Sequence, residues 1–437
     1  MSQEEEKVEW YHDFNDPNYS PSTTDLIALY YFEPTPKVSI DDLTGRLASE
    51  SSIGTWTTIE TLDERIYGMR GRAFWTNRDI RVVKIAYPGI LWEHGNIPQL
   101  LSGVAGNIFG MKAVRNLRLL DVFFPEEYLK AFSGPHIGTK AFKSIFKKEG
   151  PLLSCVPKPK IGMTVDQYLH VAMDAYLGGI DCIKDDENLT SQEFNKFEKR
   201  VEGMAKTRDK AENETGDVKD AFINITAETH EMERRLRLLN DHGFRYCMID
   251  VVTTGFASVQ SLKAITQDLG MAIHAHRAMH ATFTKHSTHG ISMFFLAKLL
   301  RLIGVDNLHI GTVVGKLDSP KQDVLNMRDL LLLSQIDESK GIHLAQDWKH
   351  IPPVVPVASG GLHPGVLPEV LSVYNTQELA LQVGGGIHGH PGGTKAGAIA
   401  TVDSIDAWKR GITLEEKSEE STELAQALKK WGHLKPV

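Results

Sequence analysis

The chain has 437 residues, of which 41% are hydrophobic and 24% charged, and its formal net charge is −8. This is the composition of an ordinary globular protein, and the length predicts two domains rather than one small core. The acidic balance argues against a nucleic-acid-binding platform, so no nucleic-acid partner is expected. The three cysteines show no metal-binding spacing, and the N-terminus is acidic without an apolar segment, which together predict a cytoplasmic protein.

The first part of the chain, as far as about residue 124, mixes strand and helix patterns without regular alternation. Residues 26–32 and 81–87 are rich in β-branched and aromatic side chains, which predicts strands. Ser39 and Asn96 stand where side chains cap the first turn of a helix. This mixture predicts an α+β domain of ferredoxin-like type, which we place at residues 1–135.

From about residue 150 onward, short apolar runs recur, and each of them ends in polar residues or glycine. They lie at residues 152–158, 179–186, 221–227, 246–252, 272–278, 308–314, 352–360 and 379–386. Between them we predict helices that begin at Thr164 and Thr190 and a helix over residues 289–304. Eight strand–helix units predict a parallel TIM (β/α)8 barrel with a C-terminal tail at residues 136–437, so the class is α/β.

The most apolar window, residues 291–305, contains Lys298 and Arg301. Two charges in so short a stretch predict a buried helix rather than a membrane span. We therefore expect no membrane partner.

The second predicted barrel strand ends in Lys184-Asp185-Asp186-Glu187. Taken alone, this tetrapeptide could be a solvated, salt-bridged loop. Its place at a buried strand end favours a second interpretation, in which CO₂ adds to the neutral amine of Lys184 and forms a carbamate. Carbamylated Lys184, Asp186 and Glu187 would then offer three oxygen ligands, which suit Mg²⁺. The expected cofactors are one Mg²⁺ per active site and an activating CO₂ held as the carbamate.

Other strand ends carry candidate acids, bases and cations. Lys158 and Lys160 lie in a proline-bounded segment that is either a rigid rim or the site of an acid–base lysine. His274 and His276 share one strand face, where an acid–base role is favoured over a zinc pair because no third soft ligand accompanies them. Lys316 lies in a glycine-containing loop, which is either a surface turn or a mobile lid that delivers one positive charge.

Glycines follow the seventh and eighth predicted strands. The two loops read Ser359-Gly360-Gly361 and Gly384-Gly385-Gly386. Backbone N–H groups of such loops commonly bind phosphate in barrels, so we predict one phosphate site there and a second at Arg277 and His309. A metal between two anion sites suits a bisphosphorylated sugar.

These motifs resemble those of one enzyme family. GGIDCIKDDENLTS, HAHRAMHA, LHIGTVVGKLD, PVASGGLHPG and LQVGGGIHGHPGG resemble barrel motifs of the large subunit of ribulose-1,5-bisphosphate carboxylase/oxygenase (RuBisCO), and ESSIGTWTT and GNIFGMK resemble motifs of its first domain. The likeness runs in order along nearly the whole chain. VPKPK and KDDENLTS are similar to the archaeal form III branch.

The resemblance implies a role for each matching residue. The catalytic and metal-binding residues would be Lys184 as the carbamylated ligand beside Asp186 and Glu187, Lys158 as the acid–base lysine, His276 in proton transfer and Lys316 as the cation facing the new carboxylate. The substrate-binding residues would be Lys160, Arg277, His309, Ser359, Gly360, Gly361, Gln382, Gly384 and Gly385, with His363 as a further contact. In the family, the equivalents of Glu50, Thr55, Trp56 and Asn107 come from the partner subunit.

The implied reaction is carboxylation of D-ribulose 1,5-bisphosphate by CO₂ to two 3-phosphoglycerates, with O₂ as a competing substrate. The form III branch is associated with salvage of AMP or nucleoside ribose. The implied assembly is a homodimer or a ring of dimers without a small subunit. The alternative is a RuBisCO-like enolase or isomerase of sulfur salvage. Such proteins usually lack some of the residues that carboxylation requires. The presence of Lys158, Lys316, Glu50 and Asn107 favours the carboxylase.

Overall fold

The computed structural model describes residues 10–314 and 320–435. Packing divides them into two compact units. The first unit holds the described residues up to Gly134 with Met279–Ile303 and Leu333–Ile351, and the second holds Pro135–Ala278, the described residues of 304–332 and those from Pro352 onward. The division of the chain into domains at residues 1–135 and 136–437 stays a prediction. The compact units follow packing instead, and the first of them includes Met279–Ile303 and Leu333–Ile351.

The first unit is built on an antiparallel sheet with elements in the order β-α-β-β-α-β. Its main strands and helices are Leu26–Pro34, Ile40–Glu50, Arg72–Asn77, Val82–Tyr87, Ile97–Ala105 and Val114–Phe123, with short helices at Glu64–Gly68, Glu126–Leu129 and Ala281–Thr284. The first strand pairs with both the third and the fourth, and the second strand lies at the edge beside the third. This order is ferredoxin-like, as predicted. Ser39 and Asn96 cap the two long helices, as predicted.

Eight parallel strands form the sheet of the second unit. In chain order they are Leu152–Cys155, Cys182–Lys184, Asp220–Phe222, Tyr246–Asp250, Ala272–His276, Asn307–His309, Val355–Ser359 and Ala380–Val383, called barrel strands one to eight below. Successive strands pair in parallel, strand eight pairs with strand one, and a bridge from Asn224 to Met248 joins strands three and four. The sheet is therefore closed, and the predicted TIM barrel is confirmed.

Helices alternate with these strands. Those that follow strands one to eight are Val165–Leu177, Phe197–Thr215, Thr229–Asp241, Phe256–Asp268, Met293–Ile303, Lys321–Leu332, Leu367–Tyr374 and Gly393–Arg410, and Leu414–Ser418 and Thr422–Trp431 come last. Thr164 and Gln167 form the predicted capping box of the first. None of the helices in the described ranges combines the length and apolarity that a membrane span needs.

The helix predicted to begin at Thr190 begins instead at Phe197. Residues 190–195 form a turn rather than a helical start. The carbonyl oxygens of Thr190 and Asn195 accept hydrogen bonds from the Arg200 guanidinium, which holds the turn against the helix. The capping-box pattern at Thr190 was therefore misleading.

The helix predicted over residues 289–304 is shorter than expected. Gly290 and Ile291 form a short strand parallel to Val114–Phe123, and the helix runs over Met293–Ile303. It is buried as predicted, and its Lys298 ammonium lies 2.7 Å from the Asp121 carboxylate. The charge that argued against a membrane span is thus neutralised inside the protein.

Apolar side chains close the amino ends of the barrel strands. Phe142 and Phe146, which precede strand one, pack against Leu152, Tyr246 and Val355, each the first residue of its strand. The Phe146 and Tyr246 rings are stacked with their centroids 6.2 Å apart. This end of the barrel is therefore filled, and the carboxyl ends of the strands remain for chemistry.

We expect Phe146→Ala to lower the free energy of unfolding by about 3 kcal/mol, because it removes a buried ring and leaves a cavity. Urea unfolding followed by circular dichroism measures this loss. Ile161→Ala is the control, since that side chain is 43% exposed and its truncation should cost less than about 1 kcal/mol. Equal losses of stability in the two variants would show that packing of the Phe146 ring does not stabilise the barrel.

Candidate active site

A cavity of about 420 Å³ lies at the carboxyl ends of the barrel strands. Its wall includes the predicted residues Lys158, Lys160, Lys184, Asp186, Glu187, His276, His309, Ser359, Gly360, Gly361, His363, Gln382, Gly384 and Gly385. The structure thus brings together side chains from strands one, two, five, six, seven and eight. Such convergence of polar groups in a concave pocket is typical of an active site.

The amine of Lys184 is buried at the end of strand two. Its Nζ donates a hydrogen bond to the carbonyl oxygen of Asp185, at 2.9 Å. Burial lowers the pKa of Lys184, although the carboxylates of Glu187, Asp250 and Asp186 act in the opposite direction. The environment therefore favours a neutral amine more than water does, and a neutral amine is the form that can add CO₂.

Asp186 and Glu187 are paired with lysines across the cavity. Lys158 Nζ lies 3.0 Å from Asp186 Oδ2, and Lys160 Nζ lies 3.1 Å from Glu187 Oε1. Burial raises the pKa of Glu187, but its backbone hydrogen bond and the nearby His276 and Lys184 outweigh that effect and leave the pKa below its usual range. Both acids therefore present carboxylate oxygens to the cavity.

These donors fit a hard divalent cation. In the described ranges no three His, Cys, Asp or Glu side chains are grouped as a ready metal site. Asp186 and Glu187 supply two carboxylates, and carbamylation of Lys184 would add a third anionic oxygen donor beside them. Oxygen donors with positions left open for water and substrate suit Mg²⁺. The donor set thus fits Mg²⁺ if Lys184 is modified.

Asp250 is a site residue that the sequence interpretation missed. It ends strand four, and its Oδ1 lies 2.8 Å from His276 Nδ1. Burial and Lys184 lower the pKa of His276, while Asp250 acts to raise it. Because Asp250 engages Nδ1, the Nε2 atom of His276 is directed elsewhere, 3.9 Å from Glu187 Oε2. The position of an acid at a strand end was the signal that could have identified Asp250.

Asp185 faces away from these groups and anchors the loop. Its carboxylate accepts hydrogen bonds from the Arg200 guanidinium at 3.2 Å, the Tyr168 hydroxyl at 2.5 Å and the Asn224 backbone N–H at 2.9 Å. The Asp185 and Arg200 side chains are fully buried. This contact fixes the backbone between Lys184 and Asp186, so that both of their side chains line the cavity.

The two glycine loops form another part of the cavity wall. Gly360 and Gly361 have φ angles of +110° and +72°, a conformation that favours glycine and lets the backbone turn at the end of strand seven. Gly385 begins a short helix, and a side chain on Gly384 would press against Lys158 Cε at 3.2 Å. Backbone N–H groups in such turns can bind phosphate, as predicted for this wall.

Gln382 lines the cavity and carries a buried amide donor. Its Oε1 accepts a hydrogen bond from Ser154 Oγ at 2.7 Å, whereas its buried Nε2 has no hydrogen-bond partner among the described residues. A buried donor without a partner is costly, and a ligand oxygen would satisfy it. Gln382 thus fits its predicted role in substrate binding.

The C-terminal segment completes the cavity, which the sequence interpretation did not anticipate. Trp431 and Leu434 are part of the wall. The Leu434 carbonyl lies 2.7 Å from His363 Nε2, and the His363 and Trp431 rings lie 5.6 Å apart. Trp431 ends the final amphipathic helix, so its apolar character alone indicated burial rather than a place in the site.

Some predicted residues are not part of this wall. Arg277 is buried beside Tyr374, and burial lowers its pKa to about 10. Lys316 lies outside the described residues. In the first unit, Asn107 Nδ2 lies 3.4 Å from Glu50 Oε1, the Thr55 carbonyl accepts from Trp10 Nε1, and the Trp56 side chain is 65% exposed. The roles of these residues stay predictions.

Comparisons with known proteins agree with this geometry. The family described as "Ribulose bisphosphate carboxylase large chain, catalytic domain" matches residues 138–431, and its N-terminal domain counterpart matches residues 13–128. The chain is 48% identical to the ribulose bisphosphate carboxylase of Pyrococcus abyssi, covering 98% of this chain and 99% of that protein. It is 49% identical to the one of Pyrococcus furiosus, covering 98% and 100%.

Solved structures show the same architecture. An octameric Rubisco of Pyrococcus horikoshii, crystallised as a complex with sulfate ion, superposes with a TM-score of 0.90 at 47% identity, covering 97% of each chain. The dimeric archaeal Rubisco of Hyperthermus butylicus superposes with a TM-score of 0.92 at 42% identity, covering 97% of this chain and 100% of that one.

We expect Arg200→Met to lower the free energy of unfolding by about 3–5 kcal/mol, because it leaves the buried Asp185 carboxylate without its cation. Urea unfolding gives the value. Arg234→Met is the matched control, since Arg234 pairs with Glu198 and Glu231 at the surface, where such a pair contributes about 1 kcal/mol or less. A loss in Arg200→Met no larger than that of the control would contradict the anchoring role of Asp185.

Proposed function

Because the chain belongs to the RuBisCO large-chain family, we propose that it catalyses the Mg²⁺-dependent carboxylation of D-ribulose 1,5-bisphosphate to two 3-phosphoglycerates. The observation that carries this proposal is the buried Lys184 amine in one cavity with Asp186, Glu187 and two glycine loops. That arrangement offers a place for a cation near a wall that can bind phosphate, as a phosphorylated sugar requires.

Activation begins with chemistry on Lys184 itself. The neutral amine attacks CO₂, a C–N bond forms, and one proton leaves, which gives a carbamate anion. The carbamate, Asp186 and Glu187 would hold Mg²⁺, which supplies Lewis-acid polarisation of the sugar ketone when bound.

The remaining steps are assigned to groups of this chain. A carbamate oxygen of Lys184 removes the proton from C3 of the substrate. CO₂ then adds at C2, and Lys316 offsets the charge of the new carboxylate. Water adds at C3, the C2–C3 bond breaks, and Lys158 returns a proton to the carbon released. His276, held by Asp250, assists proton transfer.

O₂ can attack the same electron-rich carbon, so we expect an oxygenase side reaction. We place the enzyme in the cytoplasm, where it would consume ribulose bisphosphate derived from AMP or nucleoside-ribose salvage. The salvage role is based on the resemblance of VPKPK and KDDENLTS to the form III branch.

We expect the wild type to fix ¹⁴CO₂ into acid-stable product with ribulose bisphosphate, and to do so faster after preincubation with bicarbonate and Mg²⁺. Lys184→Ala should lose this activity by more than about 10³-fold, because neither a carbamate nor a third metal ligand can form. Lys196→Ala, which alters an exposed lysine, is the control and should retain full activity.

Two outcomes would reject parts of this account. Activity that survives in Lys184→Ala would reject the carbamate role. Conversion of a sugar phosphate without acid-stable label would favour the enolase or isomerase of sulfur salvage.

We further propose a homodimer, or a ring of dimers, in which Glu50, Thr55, Trp56 and Asn107 complete the site of the partner. The octameric and dimeric states named for the similar structures support an assembly of several subunits. We propose that it contains no small subunit. The exposure of Trp56 and the proximity of Asn107 to Glu50 within one unit are consistent with a contact surface.

Co-expression of Lys184→Ala and Asn107→Ala chains tests this sharing. Each variant alone should be inactive, but a mixed dimer would contain one intact site. Random pairing should then restore about a quarter of the wild-type activity per chain, since half of the dimers are mixed and one of their two sites works. No recovery in dimers shown by mass spectrometry to be mixed would mean that each chain forms its own site.

A further inference from the structure

A chain of four polar side chains runs from the barrel interior to the cavity wall. Asn307 Nδ2 lies 3.4 Å from His274 Nδ1, and His274 Nε2 lies 2.8 Å from His309 Nε2. His309 Nδ1 lies 2.8 Å from Ser359 Oγ, and Ser359 lines the cavity. The first three side chains are buried. The hydrogen bonds among these three side chains are therefore shielded from water, and only Ser359 lines the cavity.

The surroundings of His274 and His309 favour the neutral form of both imidazoles. His274 is stacked on Phe222, with ring centroids 4.1 Å apart and planes 11° apart. Burial lowers the pKa of His274 and of His309 well below the usual value. A neutral imidazole has one N–H donor and one acceptor nitrogen. If one nitrogen of a ring accepts a hydrogen bond, its other nitrogen must therefore donate one.

The side-chain amide of Asn307 determines which nitrogen of each histidine donates. The Nδ2 group of Asn307 can only donate, so His274 Nδ1 accepts and His274 Nε2 carries the proton. His274 Nε2–H then donates to His309 Nε2, and the proton of His309 must be on Nδ1. His309 Nδ1–H donates to Ser359 Oγ. The hydroxyl proton of Ser359 is left to point toward the cavity.

We propose that Asn307, acting through His274 and His309, orients the Ser359 hydroxyl as a donor to a phosphate oxygen of the substrate. This inference rests on the proposed function, which supplies the phosphate. Asn307 and His274 are positioning residues, since neither is part of the cavity wall.

Hydrogen bonds donated in the opposite direction along this series would leave Ser359 unable to donate to an anion. If the Asn307 amide were reversed, every donor and acceptor along the chain would exchange roles. Ser359 would then donate to His309 Nδ1 and would present only lone pairs to the phosphate oxygens, which are themselves acceptors. Repulsion between lone pairs and a dianion selects the direction in which Asn307 donates.

A double-mutant cycle separates orientation of the hydroxyl from general damage to the barrel. Asn307→Leu keeps the size of the side chain but removes the donor, and Ser359→Ala removes the hydroxyl. We expect each single variant to raise the KM for ribulose bisphosphate roughly 10-fold with kcat changed less than about twofold, as for loss of a charge-assisted hydrogen bond in binding.

In the Ser359→Ala background, Asn307→Leu should change KM by less than about twofold, because the hydroxyl that it orients is absent. His274→Phe offers a second route to the same cycle, since it keeps a ring against Phe222 and removes both nitrogens. Thr401→Val is the control, because it removes a buried hydrogen bond of the same unit that has no link to Ser359, and its KM should match the wild type.

Calorimetric titration with inorganic phosphate distinguishes this inference from the proposed function. Phosphate affinity should fall in Asn307→Leu and Ser359→Ala by a similar factor, whether or not the wild type fixes CO₂. Additive losses in the double variant, or an Asn307→Leu protein that binds phosphate and ribulose bisphosphate as the wild type does, would overturn the orientation by Asn307. Absence of carboxylation in the wild type would instead count against the proposed function.

Discussion

Burial of one lysine amine beside several carboxylates is the interaction on which the candidate site depends. Desolvation disfavours the ammonium form of Lys184, while Glu187, Asp250 and Asp186 favour it. The two effects leave an amine whose proton is easier to remove than that of a lysine in water. A carbamate at Lys184 would turn this neutral amine into a buried anion, which a cation beside it would stabilise. Modification and metal binding are therefore two parts of one electrostatic balance.

The geometry of a strand end makes that balance possible. Successive side chains point to opposite sides, so Asp185 turns toward Arg200 while its neighbours Lys184 and Asp186 line the cavity. The buried ion pair thus holds the backbone in place without using up the carboxylates of the cavity. A loop at the surface would lack such an anchor, and its charged side chains would be free to pair with one another.

Much of the fold could be predicted because its strongest signals are local. Eight apolar runs followed by polar residues are the pattern of a parallel sheet covered by helices, and all eight became strands. Strands Arg72–Asn77 and Val114–Phe123 were not predicted, since both carry arginine and asparagine and lack an unbroken apolar run. The false helix start at Thr190 has a tertiary cause, because Arg200 from the following helix stabilises a turn there.

The candidate site was predictable where function depends on residue type at a strand end, and less so where it depends on packing. The lysines, acids and glycines of the cavity wall could be predicted from their residue type and their position at the strand ends. Asp250 carries the same strand-end signal, but its contact with His276 is visible only in the structure. Asn307 gives no such signal, because its proposed role depends on one contact with His274. Trp431 and Leu434 reach the wall through the final helix, and no local pattern predicts where a helix docks.

The pairing of lysines with acids in the cavity links metal binding to substrate binding. Lys158 and Lys160 contact the same carboxylates that would bind Mg²⁺, at 3.0 Å and 3.1 Å. A divalent cation held by Asp186 and Glu187 would compete with these ammonium groups for the same oxygens. The phosphates of a bisphosphorylated substrate would find those ammonium groups available. Two carboxylates balance two lysines and leave the charge of a divalent ion in excess, and a carbamate on Lys184 would offset part of that excess.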